Sequence, residues 1–403
     1  MRARVVEWGV TALVLALGLW GAGPVERPAG CDDGETRAVW IATVGNIDWP
    51  SRPGLSVADQ QREYRTMLDD VQRQGLNTVI VQVRPTADSL WPSPYEPWSQ
   101  WLTGEQGKDP GYDPLAFLVE EAHARGLKFH AWFNPFRVSK QADPAQLVPD
   151  HPARQHPDWV FAYGGELYYD PGQPAVRRLV TDVVLDVAQR YAIDGVHFDD
   201  YFYPYPVDGE QIPDGKTFAA YGGGSSDVGD WRRHNVDELV EGVSERLSAL
   251  HPDIAFGISP FGVWRNRSAD PRGSATTAAV QSYDTTYADS YRWVREGWVD
   301  YIAPQVYWEI GHPTADYAVL VPWWADAVAG TSVQLYIGQA AYKVGSGPAW
   351  DDGELSAHLD LDREHPEVRG EVYFSARSLS TNAAAAMQRV TATHYSCPPT
   401  GTG

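Results

Sequence analysis

Cysteine is scarce in this chain, with Cys31 and Cys397 the two in 403 residues. That excludes a disulfide-dense scaffold and a zinc site built on paired cysteines. Positive charge is also scarce: 32 Lys and Arg stand against 53 Asp and Glu, a formal net charge of −21. Neutralising a duplex backbone needs a basic surface, so no nucleic-acid partner is expected. No HExxH, P-loop, post-strand GxGxxG or GxSxG elbow occurs, and the 11 histidines are scattered. No metal and no cofactor is therefore expected, nor serine hydrolysis at a nucleophile elbow.

Long apolar runs are missing beyond the start. "MRAR" followed by "WGVTALVLALGLWGAG" reads as an export segment over residues 1–30, a basic start leading into an apolar stretch that ends in small residues. The stretch is short beside the roughly 20 apolar residues of a membrane span. Export with a soluble mature protein, secreted or in the cell envelope, is the favoured reading, and a signal anchor is the other. "PAGC" resembles a lipoprotein cleavage site at Cys31 but lacks the aliphatic residue three places earlier. The preferred alternative is a disulfide. Cys31 and Cys397 flank the folded region, and the first and last elements of a closed barrel are neighbours.

Strand-like and helical patterns alternate along the rest. Eight apolar runs, from "RAVWIATV" to "GEVYFSAR", are separated by amphipathic stretches such as "AVRRLVTDVVLDVAQRYA". Leu179, Val183, Val184 and Val187 share one helical face. Gly75, Gly126 and Gly297 stand where helices should turn back into strands. Eight alternating units predict an α/β fold, a (β/α)₈ barrel in one domain over residues 31–397, with a tail at 398–403. Long connections at 85–113 and 201–230 should build a cleft at the carboxyl ends of the strands.

Strand side chains alternate, so the polar residues near each strand end can be sorted by face. Gln82 with Arg84, His130 with Asn134, His197 with Asp199, Gln305 with Tyr307, and Gln339 should all point inward. So many inward polar groups need a ligand or one another. "DGVHFDDYFYPYP" supplies the sharpest feature, adjacent Asp199 and Asp200 where a strand stops. Asp199 has inward parity, and Asp200 should face outward or begin the loop. Two carboxylates this close raise each other's proton affinity, which suits acid–base work. Glycosidic hydrolysis usually uses two carboxyl groups across the bond. A second acid is therefore expected from another strand end, with Asp88 preferred over Asp48 and Glu309. The 17 Trp and 21 Tyr include many in strand-end loops, among them Trp49, Trp91, Trp98, Trp101, Trp264 and Trp308. Flat rings suit stacking on sugars as well as packing the barrel rim.

The segments "RAVWIATVGNIDWPS", "VIVQVRPTADSLWPS", "LKFHAWFNPFR", "DGVHFDDYFYPYP", "GISPFGVWRN" and "DYIAPQVYW" resemble the glycosyl-hydrolase-like family ten of bacteria, from about Glu35 to Arg377. The resemblance implies a (β/α)₈ barrel acting on glycans in the envelope or outside the cell. One member is similar to an enzyme that cuts denuded peptidoglycan strands. The fourth strand also faintly resembles the chitinase motif DGxDxDxE, but His197 and Tyr201 replace two of its acids, and Tyr201 stands where the proton donor would be.

The expectation is thus a glycoside hydrolase whose partner is an amino-sugar polysaccharide. Asp199 would be a catalytic carboxylate, Asp200 its modulator or partner, and Asp88 the second-strand acid. Arg84, His130, Asn134, His197, Gln305 and Tyr307 would hold hydroxyls, N-acetyl groups or the lactyl carboxylate of muramic acid. Gln82, Trp132, Tyr201 and Trp308 would complete the binding surface. A hydrolase of another exopolysaccharide and a non-catalytic glycan-binding barrel are the alternatives.

Overall fold

The computed structural model describes residues 34–395. The expected export segment, Cys31 and Cys397 lie outside the described residues. Eight parallel strands close into a barrel. They are β1 (Thr36–Ile41), β2 (Thr78–Arg84), β3 (Lys128–Phe133) and β4 (Gly195–Phe198). They continue with β5 (Ala255–Ile258), β6 (Tyr301–Ile302), β7 (Gln334–Gln339) and β8 (Val368–Tyr373). β8 pairs with β1 to close the ring, Ala38 lying opposite Val372.

One principal helix follows each strand. They are α1 (Val57–Arg73), α2 (Pro114–His123), α3 (Pro174–Arg190) and α4 (Val228–Leu250). The second half supplies α5 (Ser290–Glu296), α6 (Tyr317–Val328), α7 (Glu354–Asp362) and α8 (Ala384–Thr393). Local chemistry sets their starts. Ser56, Asp113 and Asp227 accept the backbone N–H of Asp59, Ala116 and Asp230, each cap stabilising its helix by about 1 kcal/mol. Pro114 and Pro174 occupy first turns, where a missing N–H costs nothing. Gly75, Gly126 and Gly297 adopt φ of 76°, 69° and 69°, the left-handed turn that ends a helix.

Alternation divides the strands into two layers. Val79, Val81 and Val83 pack outward against the helices, in one cluster with Val180, Val183 and Val187 of α3. Ala38, Trp40, Ile80, Trp132, Tyr301 and Val372 form a separate interior cluster. The interior is crossed by hydrogen bonds between strands that are not neighbours. Trp40 on β1 reaches His197 on β4, and His130 on β3 reaches Tyr301 on β6. These rings need room. A Cβ on Gly257 would lie 2.1 Å from the Tyr301 ring, and one on Gly195 would lie 2.7 Å from His130.

Two expectations change, one about a face and one about a loop. Gln339 does not point inward. Its side chain donates to Tyr317 of α6 and Asp362 of α7 and accepts from His358, all in the helical layer. Tyr336 holds the inward place on β7, packed against the interior cluster, so Gln339 has the outward parity. The longest excursion from the barrel is also not one of the two expected. It runs from residue 134 to 173 after β3 and carries a three-stranded antiparallel sheet of Arg137–Ser139, Val160–Tyr163 and Glu166–Tyr169.

Candidate active site

A cleft of about 260 Å³ opens at the carboxyl ends of the strands. One wall is mainly apolar, formed by Trp40, Val44, Ile47, Tyr342 and Phe374. The rest of the lining is more polar and includes Gln82, Arg137, Lys140, Asp199, Asp200 and Gln305. Trp132, Tyr201, Ser259 and Tyr307 complete it.

Asp199 and Asp200 stand side by side in this wall, 4% and 8% exposed. β4 ends at Phe198, so strand alternation stops before the pair. That is why Asp200, expected to face away, reaches the same cleft. Asp199 accepts Trp132 Nε1–H at 3.0 Å, Asn134 Nδ2–H at 3.0 Å and the Tyr201 backbone N–H at 3.1 Å. Asp200 accepts Gln305 Nε2–H at 2.8 Å and the Tyr205 hydroxyl. These donors favour the ionised forms.

Burial works against them and dominates. It pushes Asp199 up to about 7, with the charge of Asp200 adding to the rise. Asp200 is also raised by burial, against its bonds to Tyr205 and Gln305. The charge of Asp200 makes Asp199 hold its proton more tightly, so the two carboxyls do not ionise independently.

The floor beneath them is a neutral relay. Trp40 Nε1–H donates to His197 Nε2 at 3.1 Å, so the ring proton of His197 sits on Nδ1. That proton faces the Tyr301 oxygen at 2.9 Å, and the Tyr301 hydroxyl donates to His130 Nδ1 at 2.9 Å. Burial pushes His130 down to about 4 and His197 well below its usual value. Both rings are uncharged at pH 7. His197 also takes the Ser259 hydroxyl at 2.9 Å, which ties the floor to the cleft wall.

The structure therefore sorts the expected residues. Gln82, Trp132, Asp199, Asp200, Tyr201, Gln305 and Tyr307 come together in the cleft. Asn134 backs Asp199 from behind, while His197 and His130 lie in the floor. Their inward parity is as expected, but bonds within the protein engage Asn134 Nδ2, both ring nitrogens of His197 and Nδ1 of His130. Gln82 is partly committed: its Oε1 accepts the backbone N–H groups of Thr43 and Val44, while its Nε2 is buried without a partner.

Three expectations are corrected. Asp88 is 0% exposed, accepts the Thr86 backbone N–H and takes no part in the cleft wall. Arg84 is diverted by an irregularity in the β2–β3 register between Gln82 and Arg84. Its guanidinium pairs with both oxygens of buried Glu96 and donates to the carbonyls of Asn134 and Pro135. Trp308 packs edge-on against Phe261 at 5.3 Å, outside the wall. The other candidate acids are likewise committed. Asp48 receives the backbone N–H of Ala42 and the Ser375 hydroxyl, and Glu309 receives Trp350 Nε1–H. Of the loop rings, Trp49, Trp91 and Trp264 belong to the packed interior at 0–1% exposure.

Sequence reasoning missed Arg137, Lys140 and Tyr342. Arg137 follows "NPF", where Pro135 ends the alternation that made β3 legible. Trp40, on the inward face of β1, and Ser259, one residue beyond β5 with the parity of Gly257, were readable by parity.

Comparison with known proteins agrees with the architecture. The profile of the glycosyl hydrolase-like 10 family matches residues 35–353. The chain is 51% identical over 371 residues to glycosyl hydrolase YngK of Bacillus subtilis (strain 168), covering 91% of this chain and 73% of that one. It is 44% identical over 362 residues to glycosyl hydrolase DigH of Escherichia coli (strain K12), covering 84% of this chain and 82% of that one. Among solved structures, the PgaB (BpsB) glycoside hydrolase domain of Bordetella bronchiseptica superposes with a TM-score of 0.56 at 13% identity. That likeness covers 88% of this chain and 98% of the other, and it speaks for the fold alone.

Proposed function

The chain belongs to the glycosyl hydrolase-like 10 family and is a glycoside hydrolase, and from that premise we propose that it cuts an amino-sugar glycan through Asp199 and Asp200. The substrate we favour is the glycan of peptidoglycan already stripped of its peptides, met outside the cytoplasm after export. The single observation that carries the assignment of the acids is geometric. They are the two carboxylates in the cleft wall, and burial raises the proton affinity of both, which lets one of them act in its protonated form.

The chemistry follows from that proton. The protonated member gives it to the glycosidic oxygen as the bond to the sugar carbon breaks. The ionised member faces the positive charge that develops on the ring and then takes a proton from the incoming water. Trp132, Asn134 and Tyr201 fix Asp199 with three N–H groups, so little reorganisation is needed as charge moves. Side by side on one wall, the pair does not bracket a bond as two opposed carboxylates would. A substrate group or a water must supply the opposite face.

The test is reducing-end release from amidase-stripped peptidoglycan strands by the full chain. Release that vanishes in Asp200→Asn with folding intact supports the reading. Silence of the wild type on these strands, with release from chitin or an exopolysaccharide, keeps the hydrolase and replaces the substrate.

A further inference from the structure

Two arginines stand at the cleft end of the barrel in opposite states. Arg84 is fully enclosed and fully used, with Glu96 on one edge and two carbonyls on the other. Arg137 is 5% exposed. Its guanidinium has one long contact, from Nη2 to the Pro85 carbonyl at 3.4 Å, and its Nε is buried with no partner. Among the described residues no carboxylate is in direct ion-pair contact with it, although its charge acts on Asp199 and Asp200 and lowers the proton affinity of both. The guanidinium lies 4.8 Å from the Tyr201 ring centroid, which presents it as part of the cleft wall. The charge of Arg137 reaches the two acids, but its N–H groups are left almost without acceptors, and buried donors without acceptors are costly.

Lys140 stands in the same wall. It pairs with Glu166 at 3.0 Å, but its side chain is 49% exposed, so it can also turn to a ligand. The same cleft lining offers Val44, Ile47 and Tyr342, apolar surface for the face of a sugar ring.

We propose that Arg137, assisted by Lys140, is a specificity residue that binds a carboxylate carried by the sugar in the cleft. The fork of a guanidinium matches the two oxygens of a carboxylate, and burial strengthens the bonds. This rests on the glycan-hydrolase reading above and names the substituent the cleft selects. It moves to Arg137 the role first expected of Arg84.

The test separates the two claims. N-acetylmuramic acid, N-acetylglucosamine and glucuronic acid are titrated into the full chain, with binding read by calorimetry. The wild type should bind N-acetylmuramic acid at least about 10-fold more tightly than neutral N-acetylglucosamine, a margin typical of one charge-assisted contact. Arg137→Gln should reduce that preference to within about 2-fold, Arg137→Lys should keep part of it, and Lys140→Gln should weaken it by about 2- to 3-fold. A matching gain for glucuronic acid extends the site to any sugar carboxylate, and its absence restricts it to the lactyl ether. Equal binding of charged and neutral sugars by the wild type overturns the proposal. So does a preference that survives in Arg137→Gln, which would leave Arg137 serving the acids alone. Cleavage of stripped strands without a charge preference leaves the hydrolase reading intact and defeats this one. A preference without cleavage does the reverse.

Discussion

Asp199 and Asp88 are close to a matched pair. Both follow inner strands of the barrel, both are almost or fully enclosed, and burial pushes both up to about 7. Asp199 lies in the cleft wall with three N–H groups aimed at it, whereas Asp88 is folded into its own loop. A raised proton affinity therefore reports burial, and only access turns it into chemistry. The same lesson separates Arg84 from Arg137: one guanidinium is spent on Glu96, and the other is held in reserve at the cleft.

The largest expected effect falls on the cleft side of the comparison. Asp200→Asn removes one of the two carboxylates of the cleft wall. Turnover on stripped strands should fall by about 10²- to 10⁴-fold, the usual worth of a positioned acid or base, with the fold intact. Next comes the enclosed side. Glu96→Gln leaves the Arg84 guanidinium buried without its anion. Urea unfolding should show a loss of about 3 kcal/mol or more.

Smaller is the stability change in Asp199→Asn, whose sign follows from linkage. The folded-state value of Asp199 lies above its unfolded value, so the native state holds the extra proton from about pH 4 to about 7. Wild-type stability therefore falls as pH rises through that window, and the cost is complete above it. Asparagine does not titrate. The variant should match the wild type near pH 4 and exceed it by about 1–2 kcal/mol at pH 8, within a ceiling of about 4 kcal/mol for about three pKa units. Chemical denaturation at the two pH values measures the difference. The smallest effect is on the pH–rate profile. The Tyr205 hydroxyl lowers the proton affinity of Asp200, so Tyr205→Phe should move the acidic limb of the profile to higher pH.

The barrel was legible because apolar runs, amphipathic stretches and turn glycines all repeat with the same unit. Inward parity located Gln82 and Asp199 correctly, since they lie on or directly beyond a regular strand, and Gln305 and Tyr307 reach the cleft although β6 ends at Ile302. It failed where regularity stops. Arg84 sits beyond a register shift, Asp200 beyond the end of β4, and Arg137 beyond Pro135 on an excursion with its own small sheet. Asp88 misled because an acid near a strand end looks the same in sequence whether its loop turns toward the cleft or closes over it. The choice between them is made by long-range packing, such as Trp91 of that loop donating to Asp186 on α3, which no local pattern reports.

One measurement tests the account most directly: the rate of reducing-end release from stripped glycan strands by Asp199→Asn beside Asp88→Asn, both checked for folding. The account predicts that Asp199→Asn loses at least about 10²-fold while Asp88→Asn stays within about 3-fold of the wild type. Equal losses, or a larger loss in Asp88→Asn, would contradict it.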